Sequence, residues 1–234
     1  AETVDHVMAL GGPHEVVGIG HQPEWSPSNY RITGPDRKSL RAQINRARNK
    51  GVRVRRIDPD ELVRSRGSLR LQVEHVMARW LETRRMGVLK FMVDLQPFSF
   101  RSERRYYLAE CDEGPVGFLA AIPVYGRNGW FFEDVVRVPD APNGTADLLI
   151  HTALEDARDA GDEFVTLGLS PLARLDEDLA VTPRLGWLLR QTVRRLSILY
   201  DFKGLEVFKM RFHPDRWTPQ YAIGCAKGLG IKAL

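Results

Sequence analysis

The stretch Glu133–Arg137, "EDVVR", holds two side chains of the types that group transfer asks for, Asp134 and Arg137. A carboxylate at a cleft holds an ammonium group or takes a proton from an attacking hydroxyl. A guanidinium grips a phosphate or a developing oxyanion. The stretch reads as a strand, and strand residues three apart point to opposite faces. A bulge or bend near the strand end is the device expected to bring both to one cleft. The bland alternative is a salt-bridge network that holds the strand end together. Glu133 is the second carboxylate candidate.

Such side chains need a frame. Tyr106–Glu110, Val116–Pro123 and Trp130–Val138 read as strands, separated by the turn signals "DEGP" and "GRNG", so an antiparallel meander is expected. A helix follows from about Ala146 to Ala160, closed by Gly161, and Glu163–Leu169 reads as another strand. Upstream, Asp36–Asn49 reads as a helix with Asp36 as its N-cap and an apolar stripe of Leu40, Ile44 and Ala47. "VRVRRI" then alternates like a strand, residues 58–85 look mostly helical, and residues 86–95 look like a strand. Near the C-terminus a helix over 184–195, a strand over 195–202 and a short helix in "KGLEVFKMRF" are expected. At the N-terminus "EVVGIG" reads as a short strand and "HQPEWSPSNY" as turns. The sum is an α+β fold with a mixed, largely antiparallel sheet flanked by helices.

The 234 residues are 43% hydrophobic and 27% charged, the composition of an ordinary globular protein. No apolar run approaches the roughly 18 residues of a membrane span. The first residues, "AETVDHVMALGG", lack the basic region and long apolar core of a signal peptide, so a cytoplasmic location is expected. The two cysteines, Cys111 and Cys225, read as free thiols. No His or Cys pair has metal-ligand spacing, so neither metal nor cofactor is expected. No Ser or Cys nucleophile elbow appears, which favours direct transfer without a covalent intermediate.

Charge is uneven. Arg31–Ile57 has ten basic residues (Arg31, Arg37, Lys38, Arg41, Arg46, Arg48, Lys50, Arg53, Arg55, Arg56) against one acid, Asp36. That is +9 locally and leaves −5 for the rest of a chain of net +4. Arg37, Lys38, Arg41, Arg46 and Arg48 are therefore candidates to meet a polyanion, either tRNA or an anionic phospholipid surface. A solvated helix face would normally mix both signs.

Three blocks, "FFEDVVRVPDAPNGTADLLI", "FVTLGLSPLA" and "YDFKGLEVFKMRFHPDRWTPQYA", resemble the catalytic domain of bacterial phosphatidylglycerol lysyltransferases and alanyltransferases. The resemblance runs from about Asp36 to Tyr221. It implies a GNAT-like fold, usually as two tandem units, and transfer of an aminoacyl group from a charged tRNA to a lipid headgroup hydroxyl. Residues 1–30 would then be the tail of a preceding unit and 31–234 the aminoacyltransferase domain. Tethering to a membrane domain outside this chain, or a peripheral place at the inner membrane face, fits the same picture. Glu206 stands where the family usually has a basic residue.

The resemblance places an Asp and an Arg with the spacing of Asp134 and Arg137 among functional residues. It makes Lys203 and Lys209 candidates for the tRNA 3′ end or the acceptor phosphate. Where acetyl-CoA-using GNAT enzymes hold pyrophosphate on a glycine-rich loop, this chain has "VPDAPNGTAD". Asn143 and Gly144 make a tight turn, Thr145 is the expected N-cap, and Asp147 falls in the first helical turn. A carboxylate there repels a phosphate and suits a cation, such as the ammonium of an aminoacyl ester, or nothing at all. Two alternatives to aminoacyl transfer remain: an acyl-CoA-dependent acyltransferase, and a non-catalytic module that binds tRNA or anionic lipid.

Overall fold

The structure is a computed structural model that describes residues 14–64, 68–83, 96–171 and 202–225. The strand expected over 86–95 and the helix and strand expected over 184–202 lie almost wholly outside the described residues. Contacts divide the chain into a larger unit, residues 24–168 with 211–215, and a smaller one, residues 1–23, 169–210 and 216–234.

In the larger unit the meander forms as its turn signals predict. Strands β2 (Arg53–Ile57), β3 (Arg105–Cys111), β4 (Gly114–Val124) and β5 (Gly129–Arg137) lie side by side, each antiparallel to the next. β6 (Phe164–Thr166) then joins β5 in parallel, and Glu24 and Trp25 at the end of β1 (His14–Trp25) pair antiparallel with β6. The α+β, mixed and largely antiparallel fold class expected from the sequence is the one observed.

Helices cover both faces of this sheet. One face carries α2 (Glu61–Arg64) and α3 (Ser68–Glu82), whose Leu62, Leu69, Val73 and Val76 pack with Tyr106, Leu108, Phe118, Ala120 and Val136. The other face carries α4 (Thr145–Asp159), with Leu149 lying against Gly117 of β4. α1 (Lys38–Asn49) packs on α4 and buries its predicted stripe of Leu40, Ile44 and Ala47.

Several boundaries differ from expectation. Asp36 caps nothing; it sits in a 3-10 turn, Pro35–Arg37, ahead of α1. β6 ends at Thr166 instead of Leu169, because Gly168 takes a left-handed φ of 68°. The space a side chain would need at Gly168 is filled by the Phe131 ring, 2.6 Å from where its Cβ would be. β1 runs straight through "HQPEW", expected to be turns. Pro23, which has no N–H to give, falls between β1's described pairs with β7 (Ser170–Pro171) and those with β6.

In the smaller unit, the rest of β1 pairs with β7 and with β8 (Arg216–Cys225). α5 (Phe202–Met210) is the short helix expected there, whereas β8 was not anticipated.

Candidate active site beside the β5 bulge

β5 carries one residue too many. Phe132 pairs with Ala121 and Asp134 with Ala120, so Glu133 between them has no partner on β4. A bulge of this kind reverses the alternation of side chains beyond it. Asp134 therefore lies with Ala120 on the α3 face, where it is only 7% exposed. The parallel pairing of β5 with β6 stops just before the bulge, at Phe131 opposite Thr166. β5 then continues to Arg137 without a described strand on that side.

Asp134 is an unusual carboxylate. Its buried Oδ2 has no hydrogen-bond partner among the described residues. Burial, with the neighbouring Glu133 charge, pushes its pKa up to about 7, against a smaller pull downward from Arg104. Arg104 is itself well covered and holds two acceptors: Nη1 donates to Glu133 Oε2 at 2.7 Å and Nε to the Ser99 carbonyl at 2.7 Å. Tyr106, whose hydroxyl donates to the Pro97 carbonyl at 2.6 Å, lies within electrostatic reach of Asp134. Its pKa is raised to about 12, chiefly by burial. A buried group that changes charge near neutrality is suited to accept a proton from a substrate and return it.

The expected bulge exists, yet it does not unite Asp134 and Arg137. It precedes both, so the two stay on opposite faces. Arg137 pairs with Gly117 on the α4 side, and its Nη1 donates to the carbonyls of Val138 at 3.3 Å and Pro139 at 3.4 Å. Its described bonds brace the loop into α4.

That loop closes on itself. Gly144, with φ 94°, is the N-cap residue, and Thr145 is already helical. Thr145 is therefore inside the helix and not the expected N-cap, and its hydroxyl donates back to the Pro142 carbonyl at 2.6 Å. Asn143 is exposed at the turn. α1 passes so close to Gly144 that a Cβ there would lie 2.0 Å from the Gln43 carbonyl oxygen. Asp147 already holds a cation, Arg211, whose Nη1 donates to Oδ1 at 2.7 Å.

In the smaller unit Lys203 is exposed on α5, while Lys209 is 5% exposed and donates to the Leu169 carbonyl at 2.9 Å. Burial lowers the Lys209 pKa to about 7. The two lysines thus occupy different environments on one helix.

The basic segment is less bare than its sequence. Arg53 pairs with Asp112 (2.8 Å), Arg55 with Glu61 (3.0 Å) and Arg56 with Asp156 (3.0 Å). Arg37 donates to the Phe212 carbonyl, and Arg41 to those of Ile32 and Gly34. The acids that balance β2 come from other elements, which a count along one segment cannot see. Lys38, Arg46 and Arg48 remain exposed on α1, with Arg46 near Gln43 at 3.4 Å.

Residues 25–224 match the family model described as phosphatidylglycerol lysyltransferase, C-terminal. The chain belongs to this family. Among its relatives is the lysylphosphatidylglycerol biosynthesis bifunctional protein LysX of Mycobacterium sp. (strain JLS), 26% identical over 237 residues. That alignment covers 88% of this chain and 19% of LysX. The LysX of Nocardia farcinica is 25% identical over 214 residues, covering 88% and 18%. The chain therefore spans about a fifth of the length of these relatives. Among solved structures, L-PGS from Bacillus licheniformis superposes with a TM-score of 0.71 at 20% identity, over 97% of this chain and 66% of that one. A C-terminal DUF2156 domain from Agrobacterium fabrum gives 0.71 at 21% identity, over 95% and 64%. At such identities the superpositions speak for the fold. No helix among the described residues is long and apolar enough to cross a membrane.

Proposed function

We propose that the chain is the catalytic domain of an aminoacyltransferase that moves an aminoacyl group from aminoacyl-tRNA to a hydroxyl of a phospholipid headgroup such as phosphatidylglycerol. The observation that carries the reading is Asp134, a buried carboxyl with an unpartnered oxygen and a pKa near 7 beside the bulge. Family membership supplies the reaction class.

In this mechanism Asp134 takes the proton of the acceptor hydroxyl as that oxygen attacks the ester carbonyl of the aminoacyl-tRNA. A C–O bond to the lipid forms. The C–O bond to the terminal ribose breaks, and the ribose oxygen leaves with the proton returned by Asp134. The donor ester is already activated, so positioning and a base suffice. Exposed Lys203 is assigned to a phosphate of donor or acceptor. Lys38, Arg46 and Arg48 are assigned to the backbone of tRNA or to lipid phosphates. Lys209, charged below about pH 7, is a second candidate for phosphate. Asp147 is left out of the binding set, since Arg211 occupies it.

A coenzyme A donor is disfavoured. The start of α4 lies under α1 at Gln43, and its first turn holds the Asp147–Arg211 pair. The test supplies labelled aminoacyl-tRNAs and phosphatidylglycerol to the chain and to its full-length protein. Label in the lipid, lost in Asp134→Asn, is the expected result. Absence of labelled lipid from both proteins sinks the reading, and marked thermal stabilisation by acetyl-CoA would revive the rival.

A further inference from the structure

Two aromatic side chains stand out into solvent, one in the loop ahead of β3 and one in the β4–β5 turn. Phe100 is 81% exposed and Tyr125 is 72% exposed. A lone exposed apolar residue carries no message. Phe100, however, has a left-handed backbone (φ 49°, ψ 42°), which a bulky side chain rarely adopts and which costs about 1 kcal/mol or more. The chain thus holds a large apolar group outward in a strained conformation, immediately before the 3-10 turn Arg101–Glu103.

The two aromatics are also coupled. The Tyr125 hydroxyl donates to the Glu103 carboxylate, tying the β4–β5 turn to the loop that carries Phe100. The same loop is fastened to the site: Arg104 bridges the Ser99 carbonyl and Glu133, the residue next to Asp134. Arg101, next to Phe100, is exposed.

We propose that Phe100 and Tyr125, with Arg101, form the contact by which this unit seats on an anionic phospholipid bilayer. This rests on the reading that the acceptor is a phospholipid. A headgroup hydroxyl stays at the membrane surface, so the base must be brought there. Aromatic side chains favour that interface, and a flanking arginine meets the lipid phosphates. The Arg104 bridge fixes the distance from the inserted ring to Asp134.

The test is co-sedimentation of the chain with vesicles of phosphatidylcholine, with and without phosphatidylglycerol. The wild-type chain binds the anionic vesicles. Phe100→Gly suits the left-handed backbone and keeps the melting temperature, while its binding falls roughly tenfold or more. Tyr125→Ser weakens binding in the same direction. Arg101→Gln weakens binding to phosphatidylglycerol vesicles alone, most visibly at low salt. The inference is overturned if the wild-type chain stays in the supernatant, or if Phe100→Gly binds as the wild type does.

A second assay separates this from the reaction itself. Transfer to a short-chain, fully dispersed phosphatidylglycerol is expected to be equal in wild type and Phe100→Gly. Vesicle binding that depends on Phe100, with no transfer by the chain or by its full-length protein, removes the proposed function and keeps the membrane contact. Transfer with vesicle binding indifferent to Phe100 does the reverse.

Discussion

Two buried aspartates sit at either end of the passage from β5 to α4, and they are opposite in kind. Asp134 is 7% exposed and Asp147 is 5% exposed. Asp147 is paired with Arg211 at 2.7 Å and lies in the first turn of a helix, where a carboxylate is favourable. Asp134 has an oxygen with no partner and a like charge beside it. Burial by itself therefore says little about role. A buried carboxylate with its counter-charge is a brace, whereas one without is costly to the fold and is a candidate for chemistry.

The sharpest way to break this contrast is to remove each carboxylate. Asp134→Asn should lower the transfer rate at least about a hundredfold, because the amide cannot take a proton. Its melting temperature at pH 8 should hold or rise. Asp147→Ala should do the converse: stability falls by about 2–3 kcal/mol as the buried ion pair with Arg211 is broken, and the rate per folded molecule changes little. Similar rate losses in both variants would erase the distinction.

Acidity gives the next effect. The folded state keeps the Asp134 proton up to about pH 7, whereas an unfolded chain releases it near the ordinary carboxylate value of about 4. This group's share of stability is whole below about pH 4 and is lost as pH rises to about 7. Denaturant titrations at pH 5 and pH 8 should therefore differ less in Asp134→Asn than in wild type, by on the order of 2 kcal/mol. A pH dependence identical in the two proteins would contradict the assignment.

The smallest effect is the most specific. Arg104→Gln removes a cation that favours the ionised form of Asp134 and frees Glu133 to oppose it. Transfer should still rise with pH, with its midpoint moved upward by about half a unit to one unit. An unmoved midpoint would detach Arg104 from the base.

Much of the frame was legible because its signals are local. The turn residues between β3, β4 and β5 announced the meander, and the Leu40, Ile44 and Ala47 stripe announced the buried face of α1. Asp134 stood out by type and by family resemblance. Its surroundings did not, because Arg104 meets Glu133 across 29 residues; elsewhere Arg211 meets Asp147 across 64 and Arg56 meets Asp156 across 100. The same blindness made the basic segment look bare and the loop before α4 look open to a ligand. The strand expected in "EVVGIG" stops short of Pro23, yet β1 runs through it, because the missing N–H matters only where a neighbour asks for it.

The unpaired residue in β5 carries one more consequence. Phe132 and Asp134 face opposite sides only because Glu133 is counted on one strand and skipped on the other. Replacing Glu133 leaves that count intact, whereas deleting it would leave Phe132 and Asp134 as neighbours in a regular ladder, still opposite Ala121 and Ala120, so the carboxylate would keep its layer and lose the charged residue beside it. The bulge therefore bears on the site through what it inserts, a second carboxylate held by Arg104 next to Asp134, and not through the face that Asp134 takes.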